Sequence, residues 1–155
     1  MGANLLFVNN VYCQALIVSL DEMAKLRDGC DNPTPDCQAD TNSQQADANY
    51  QHIILATSRD IPGRLPDQVG KYHIEYLDNE GMIGRYRALR KPFAIIKIRP
   101  INKHGERRKI SFIRYWIHME QGDVIYSRAE WSNVYFSYDK EKHEFLIEDV
   151  EVGGV

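Results

Sequence analysis

Residues Lys109–Val152 read KISFIRYWIHMEQGDVIYSRAEWSNVYFSYDKEKHEFLIEDVEV. β-Branched and aromatic residues fill four runs within it: KISFIRYWIH, VIYSRAEW, NVYFSYD and EFLIEDVEV. Such side chains suit a pleated, half-buried surface, whereas the clusters EQGD and DKEKHE are polar and turn-like. Connections this short join antiparallel neighbours. FAIIKIRP (residues 93–100) and the cluster NKHGE (102–106) carry the same pattern toward the N-terminus. The spacing therefore predicts an antiparallel meander from Phe93 onward.

The first part of the chain has a different period. Leu5, Val8, Val11, Tyr12, Ala15, Leu16, Leu20, Met23 and Leu26 recur at three- and four-residue intervals. That pattern predicts an amphipathic helix over residues 4–27, stopped by Gly29 and the prolines beyond. Residues 28–40 carry Pro33 and Pro35 and no apolar period, and read as a mobile loop. TNSQ (41–44) has the form of a capping box. Ala46, Tyr50, Ile53, Ile54 and Thr57 follow at helical spacing, so a second helix is expected to Ser58, although HIILA (52–56) also suits a strand. RDIPGRLPDQVG (59–70) is a connector and KYHIEYL (71–77) an alternating strand. Met82, Ile83, Tyr86 and Leu89 then predict a short helix that ends at Pro92.

Helices first and a run of strands afterwards is the α+β pattern. The expected architecture is one domain over residues 1–155, with N-terminal helices packed on a curved antiparallel meander. This element order resembles the cystatin-like class, which includes the cone-shaped nuclear-transport-factor-like folds. The resemblance implies a scaffold rather than an activity, because such scaffolds host unrelated functions.

Composition narrows the function classes. The 155 residues are 43% hydrophobic and 26% charged, as in ordinary globular proteins. No run of 18 apolar residues suggests a membrane span. MGANLLFVNNVYCQALIVSL has no basic residue, and Asn4, Asn9, Asn10 and Gln14 interrupt it, so it reads as structure rather than a signal peptide. Leu6 stands where a myristoylation motif needs Ser or Thr. A soluble cytoplasmic protein is expected. Cys13 falls on the apolar helical face, while Cys30 and Cys37 bracket CDNPTPDC and would close a loop only in an oxidising compartment. No second Cys or His pair follows at ligand spacing, so neither a metal nor another cofactor is expected.

Signatures of catalysis are equally sparse. None of His52, His73, His104, His118 and His143 lies three or four residues from another, which removes a helical metal pair. G-x-S-x-G, a phosphate-binding glycine loop and G-x-G-x-x-G are all missing. Aromatic rings are abundant instead: Tyr115, Trp116, Tyr126, Trp131, Tyr135, Phe136 and Tyr138 crowd the predicted sheet. Strand alternation puts Tyr135 on the face opposite Phe136, pointing outward beside Trp131 if Phe136 faces the core.

Charge is unevenly distributed. Between Gly81 and His118 stand eleven Lys or Arg and one acid, Glu106, although the whole chain is −3. Acidic strands follow, so mutual neutralisation across the sheet is expected, at about 0.2–1 kcal/mol per pair. The acidic balance and the absence of RNA-binding signatures argue against nucleic acid. The expectation is a non-enzymatic protein-interaction module, of the kind that inhibits or confers immunity by binding. Its partner would be another protein, held by Arg107, Arg108, Arg114, Tyr115, Trp116, Trp131 and Tyr135. The alternative is a small-ligand or enzymatic pocket at the mouth of a cone-shaped sheet, lined by His73, His118 and Tyr115.

Overall fold

A computed structural model describes residues 2–28, 51–59 and 64–154. They form two helices, α1 (Gly2–Asp28) and α2 (Asn79–Leu89), and eight strands. The strands are β1 (His52–Ala56), β2 (Gln68–Val69), β3 (Tyr72–Leu77), β4 (Phe93–Ile98), β5 (Asn102–His104), β6 (Arg107–Glu120), β7 (Asp123–Asp139) and β8 (Glu144–Gly154). They make one open sheet in the order β2-β3-β1-β4-β6-β7-β8, with β5 beside β6. The α+β class is as expected, but the sheet is mixed rather than antiparallel throughout. β1 lies between β3 and β4 and runs parallel to both.

The second helix expected up to Ser58 does not include residues 52–56. HIILA is strand β1, and four of its five residues are buried. A central strand covered on both faces needs a continuous apolar run, and such a run also satisfies helical spacing by accident. The preceding part of that expected helix, the loop beyond Asp28, and Cys30 and Cys37 all lie outside the described residues. A second merger occurs in β7, where VIYSRAEW and NVYFSYD form one 17-residue strand. Its pairing with β6 steps from Arg114↔Glu130 to Tyr115↔Arg128, leaving Ala129 as an extra residue. Against β8 the register steps from Tyr135↔Asp149 to Phe136↔Ile147, leaving Glu148 extra. Bulges of this kind bend a strand and strengthen its twist, which is how the long β6–β7–β8 ribbon curves.

Each face of the sheet has its own core. On one, Val11, Tyr12, Ala15, Leu16, Leu20 and Met23 of α1 pack on Ile53, Leu55, Ile96, Ile98, Ile110, Phe112, Val134 and Phe136. These helical residues fall on the stripe that the sequence period marks, and none is more than 2% exposed. Polar contacts fix the helix in place. Ser19 and Ser132, both fully buried, bond hydroxyl to hydroxyl. The Tyr72 hydroxyl donates to Asp21 Oδ1 at 2.6 Å. Cys13 is half-buried against this core, and burial pushes its thiol pKa up. Among the described residues no helix is long and apolar enough to cross a membrane.

The smaller helix covers part of the opposite face. Asp78 caps α2 by accepting the Gly81 amide at 2.7 Å, and Arg90 closes it in a left-handed conformation with its N–H bonded to Tyr86 O. Met82 packs with Ile54, Ala56, Phe93, Ile95 and Ile117. The 11-residue helix is about 16 Å long at 1.5 Å per residue. It therefore leaves the outer part of the β6–β7–β8 ribbon uncovered by any described element.

Candidate functional site: the open sheet face

Side chains alternate across a strand, so register decides what meets on the uncovered face. The α1 face takes Ile110, Phe112, Val134 and Phe136. Residues one step away, including Ser111, Ile113, Asn133 and Tyr135, therefore lie on the other face. Three adjacent rows cross it. In the first, Lys97, Ile113, Trp131 and Gly153 stand opposite one another in successive strands. In the second, Arg99 bonds through its amide to Ser111 O, and Ser111, Asn133 and Glu151 follow. In the third, Lys109 is followed by Tyr135 and Asp149.

The second and third rows are joined by hydrogen bonds. Ser111 Oγ donates to Asn133 Oδ1 at 2.6 Å, and Asn133 Nδ2 donates to Glu151 Oε2 at 3.4 Å. Tyr135 Oη donates to the same Oε2 at 3.0 Å. Above the Tyr135 ring sits the Arg107 guanidinium, 4.8 Å from the centroid, and Arg107 Nε lies 4.0 Å from Glu148. Burial and the nearby Glu151 carboxylate hold the Tyr135 phenol above its ordinary pKa. Trp131 owes its position to Gly153: a Cβ there would stand 2.4 Å from the indole Cζ2. Glycine thus lets the ring lie against the β8 backbone. Toward α2, Lys97 Nζ sits 4.4 Å from the Tyr126 ring centre and 5.7 Å from that of Tyr115, and the two rings meet edge to face.

Pleating divides the seven residues expected to bind. Arg107, Tyr115, Trp131 and Tyr135 share the open face, while Arg108, Arg114 and Trp116 point to the α1 side. Tyr135 faces outward as alternation implies, yet it is only 6% exposed because Arg107 and Glu151 cover it. Arg114 is an interior residue, 8% exposed, with its guanidinium 3.5 Å from Glu130. Trp116, at 47% exposure, stands on the α1 side of β6. The pocket trio does not converge either. His118 is on the α1 side, 3.3 Å from Glu120, whereas His73 and Tyr115 share the other face. β3 and β6 are separated by β1 and β4, so three strand spacings, about 14 Å, and a two-residue offset along the strands separate His73 from Tyr115.

The basic segment is likewise divided. Arg87, Arg90 and Lys91 stand at the end of α2, and Arg99, Lys103, Arg107, Arg108 and Lys109 lie beyond the far end of β4. Six strand residues, about 20 Å, separate the groups. The expected neutralisation between neighbouring strands is met at Arg114–Glu130 on β6 and β7, whereas Arg107 reaches Glu148 across β7 and Arg85–Glu75 joins α2 to β3. Residues missed in the sequence are Lys97, Arg99, Lys109, Ser111, Asn133, Glu151 and Gly153, which only the cross-strand register brings together.

A second polar cluster lies at the other end of this face. Arg85 bonds both oxygens of Glu75, and His52 Nε2 is 3.4 Å from Glu75 Oε1. Burial raises the Glu75 pKa, but Arg85 and His52 outweigh it and hold the carboxyl below its ordinary value. A folded pKa below the unfolded one stabilises above the ordinary carboxylate range of about 4.3, and this stabilisation is lost as pH falls through the lower folded value. Arg85→Met is therefore expected to lower the melting temperature at neutral pH and to flatten its fall below about pH 5. Thermal unfolding as a function of pH, with wild type and variant in parallel, checks this.

No protein-family model, no curated protein and no solved structure matches the chain.

Proposed function

We propose that the chain is a non-enzymatic interaction module that holds a protein partner on its open sheet face. The observation that carries this reading is the composition of the face: Trp131 and Arg107 amid the polar Ser111–Asn133–Glu151 row, with no described element above them and Tyr135 held beneath Arg107 and Glu151. Trp, Tyr and Arg dominate the energetic centres of protein interfaces, because each joins a large apolar body to directional polar groups. A hydrogen-bonded row supplies polar contacts already held in place, which lowers the entropy cost of association. An inhibitor or immunity-type binder needs such a face and no catalytic group. The cystatin-like, cone-shaped scaffold is the finer fold reading we attach to this function, supported by the helix-on-curved-sheet arrangement.

Nucleic acid is the less favoured partner. The bases are divided between two ends of β4, and Asp149 and Glu151 share the open face, where they would repel phosphate. The pocket reading is weakened by the separation of His118 from His73 and Tyr115.

Quantitative affinity capture from a nuclease-treated native extract tests the proposal. The baits are wild type, an open-face variant (Arg99→Glu, Lys109→Glu) and an α1-side variant (Arg108→Glu, Trp116→Ala). A protein retained by wild type and the α1-side variant, and depleted at least about tenfold by the open-face variant, is the expected outcome. Equal retention by all three baits, or loss only with the α1-side variant, contradicts it.

A further inference from the structure

The three rows of the open face share one polarity. Lys97 on β4 and Arg99 just beyond it begin the first two rows, Lys109 on β6 follows Asn102 of β5 in the third, neutral residues come next, and Glu151 and Asp149 end the second and third on β8. We infer that this face is its own complement, and that two copies of the chain associate through it about a two-fold axis parallel to the strands. The inference rests on the reading of this face as a protein-docking surface and names one occupant for it.

The direction of the axis follows from the charges. A two-fold axis along the strands, lying between the two faces, sets the β4 side of one copy over the β8 side of the other. Arg99 and Lys109 then meet Asp149 and Glu151, twice by symmetry, as an isologous contact requires. An axis across the strands would stack Arg99 on Arg99 and Glu151 on Glu151. The favoured axis also leaves the strands of the two layers nearly aligned, which is the common geometry of face-to-face sheets. Arg99, Asp149 and Glu151 are exposed, and neither Arg99 nor Lys109 forms an ion pair among the described residues. Both Asn133 and Tyr135 bond Oε2 of Glu151, which leaves Oε1 for an incoming guanidinium. Ile113 and Trp131 supply the apolar middle.

Size sets the strength. Four strands at about 4.8 Å and the length from Arg107 to Tyr115 give a face of about 19 by 27 Å, or roughly 500 Å² in projection. A standard stable interface takes about 800 Å² per partner. The dimer is therefore of the weak, transient kind. Because its rim contacts are between exposed charges, it is sensitive to salt.

Sedimentation velocity on the full chain tests this, over a concentration series at about 50 mM and about 500 mM salt. Reversible dimerisation at low salt that weakens at least about tenfold at high salt is expected. An acidic variant (Arg99→Glu, Lys109→Glu) and a basic variant (Asp149→Lys, Glu151→Lys) should each be monomeric, and an equimolar mixture should restore a one-to-one dimer. If Glu151→Lys disturbs the fold, Asp149→Lys alone serves as the basic partner. A wild type that stays monomeric, a dimer indifferent to both charge reversals, or a mixture that does not associate overturns the inference. A monomeric wild type that still captures a different protein through this face overturns only the self-association and leaves the docking reading intact. A dimer abolished by Trp116→Ala but not by the charge reversals overturns it by placing the contact on the other face.

Discussion

Leu16→Asp is expected to abolish soluble, cooperatively unfolding protein. Leu16 lies at the centre of the α1 stripe with no exposed surface, packed in the core that joins the helix to the sheet. An aspartate there either buries an unpaired charge or takes up a proton and still lacks hydrogen-bond partners, at a cost of several kcal/mol. Leu16→Ala, which removes only packing, should cost about 2–5 kcal/mol. Whole-domain stabilities are about 5–15 kcal/mol, so the alanine variant folds with a lowered melting temperature and the aspartate variant does not. Soluble yield and thermal unfolding check the pair. A soluble Leu16→Asp protein with a wild-type melting temperature would show that α1 is not part of the core.

Arg114→Leu is expected to destabilise by about 3–5 kcal/mol, since it strands the Glu130 carboxylate in a largely dry site. The two side chains are 10% and 17% exposed. Glu130→Leu is expected to destabilise as well, by removing the carboxylate that the Arg114 guanidinium faces at 3.5 Å. The double variant should recover much of either loss, because apolar groups of similar volume often replace a buried ion pair without penalty. Urea denaturation of the four proteins gives the coupling energy directly. Additive losses would mean that the two residues do not act as a pair.

These two sites also show what the sequence made legible. The core face of α1 could be read because a helix repeats locally, and each apolar residue announces its own side. The regions of β3, β4, β6, β7 and β8 could be read as well, although VIYSRAEW and NVYFSYD are one strand and NKHGE, read as a turn, carries β5. β1 could not: HIILA has no period to separate helix from strand, and its parallel partners β3 and β4 are set by contacts distant in sequence. The site was legible only in part. Alternation placed Tyr135 and Trp131 on one face, but the rows that join them to Glu151 and Gly153 depend on bulges at Ala129 and Glu148. A one-residue slip in register exchanges the two faces of a strand, and no local signal in VIYSRAEWSNVYFSYD marks where the slip falls. Arg114 followed the same logic. It belongs to a basic run, yet its even spacing from Ile110 and Phe112 carries it into the interior. The charge run itself looked continuous only because sequence distance hides the length of β4.

The chain has two tryptophans, and they lie on opposite faces of the sheet: Trp131 on the open face and Trp116 on the α1 side. Their indole N–H signals in a proton–nitrogen correlation spectrum therefore report the two surfaces separately, with Trp131→Phe and Trp116→Phe supplying the assignments. Titration with the purified partner recovered by affinity capture should shift or broaden the Trp131 signal and leave that of Trp116 in place. A shift confined to Trp116, with Trp131 unmoved at saturation, would contradict the assignment of the open face as the docking surface.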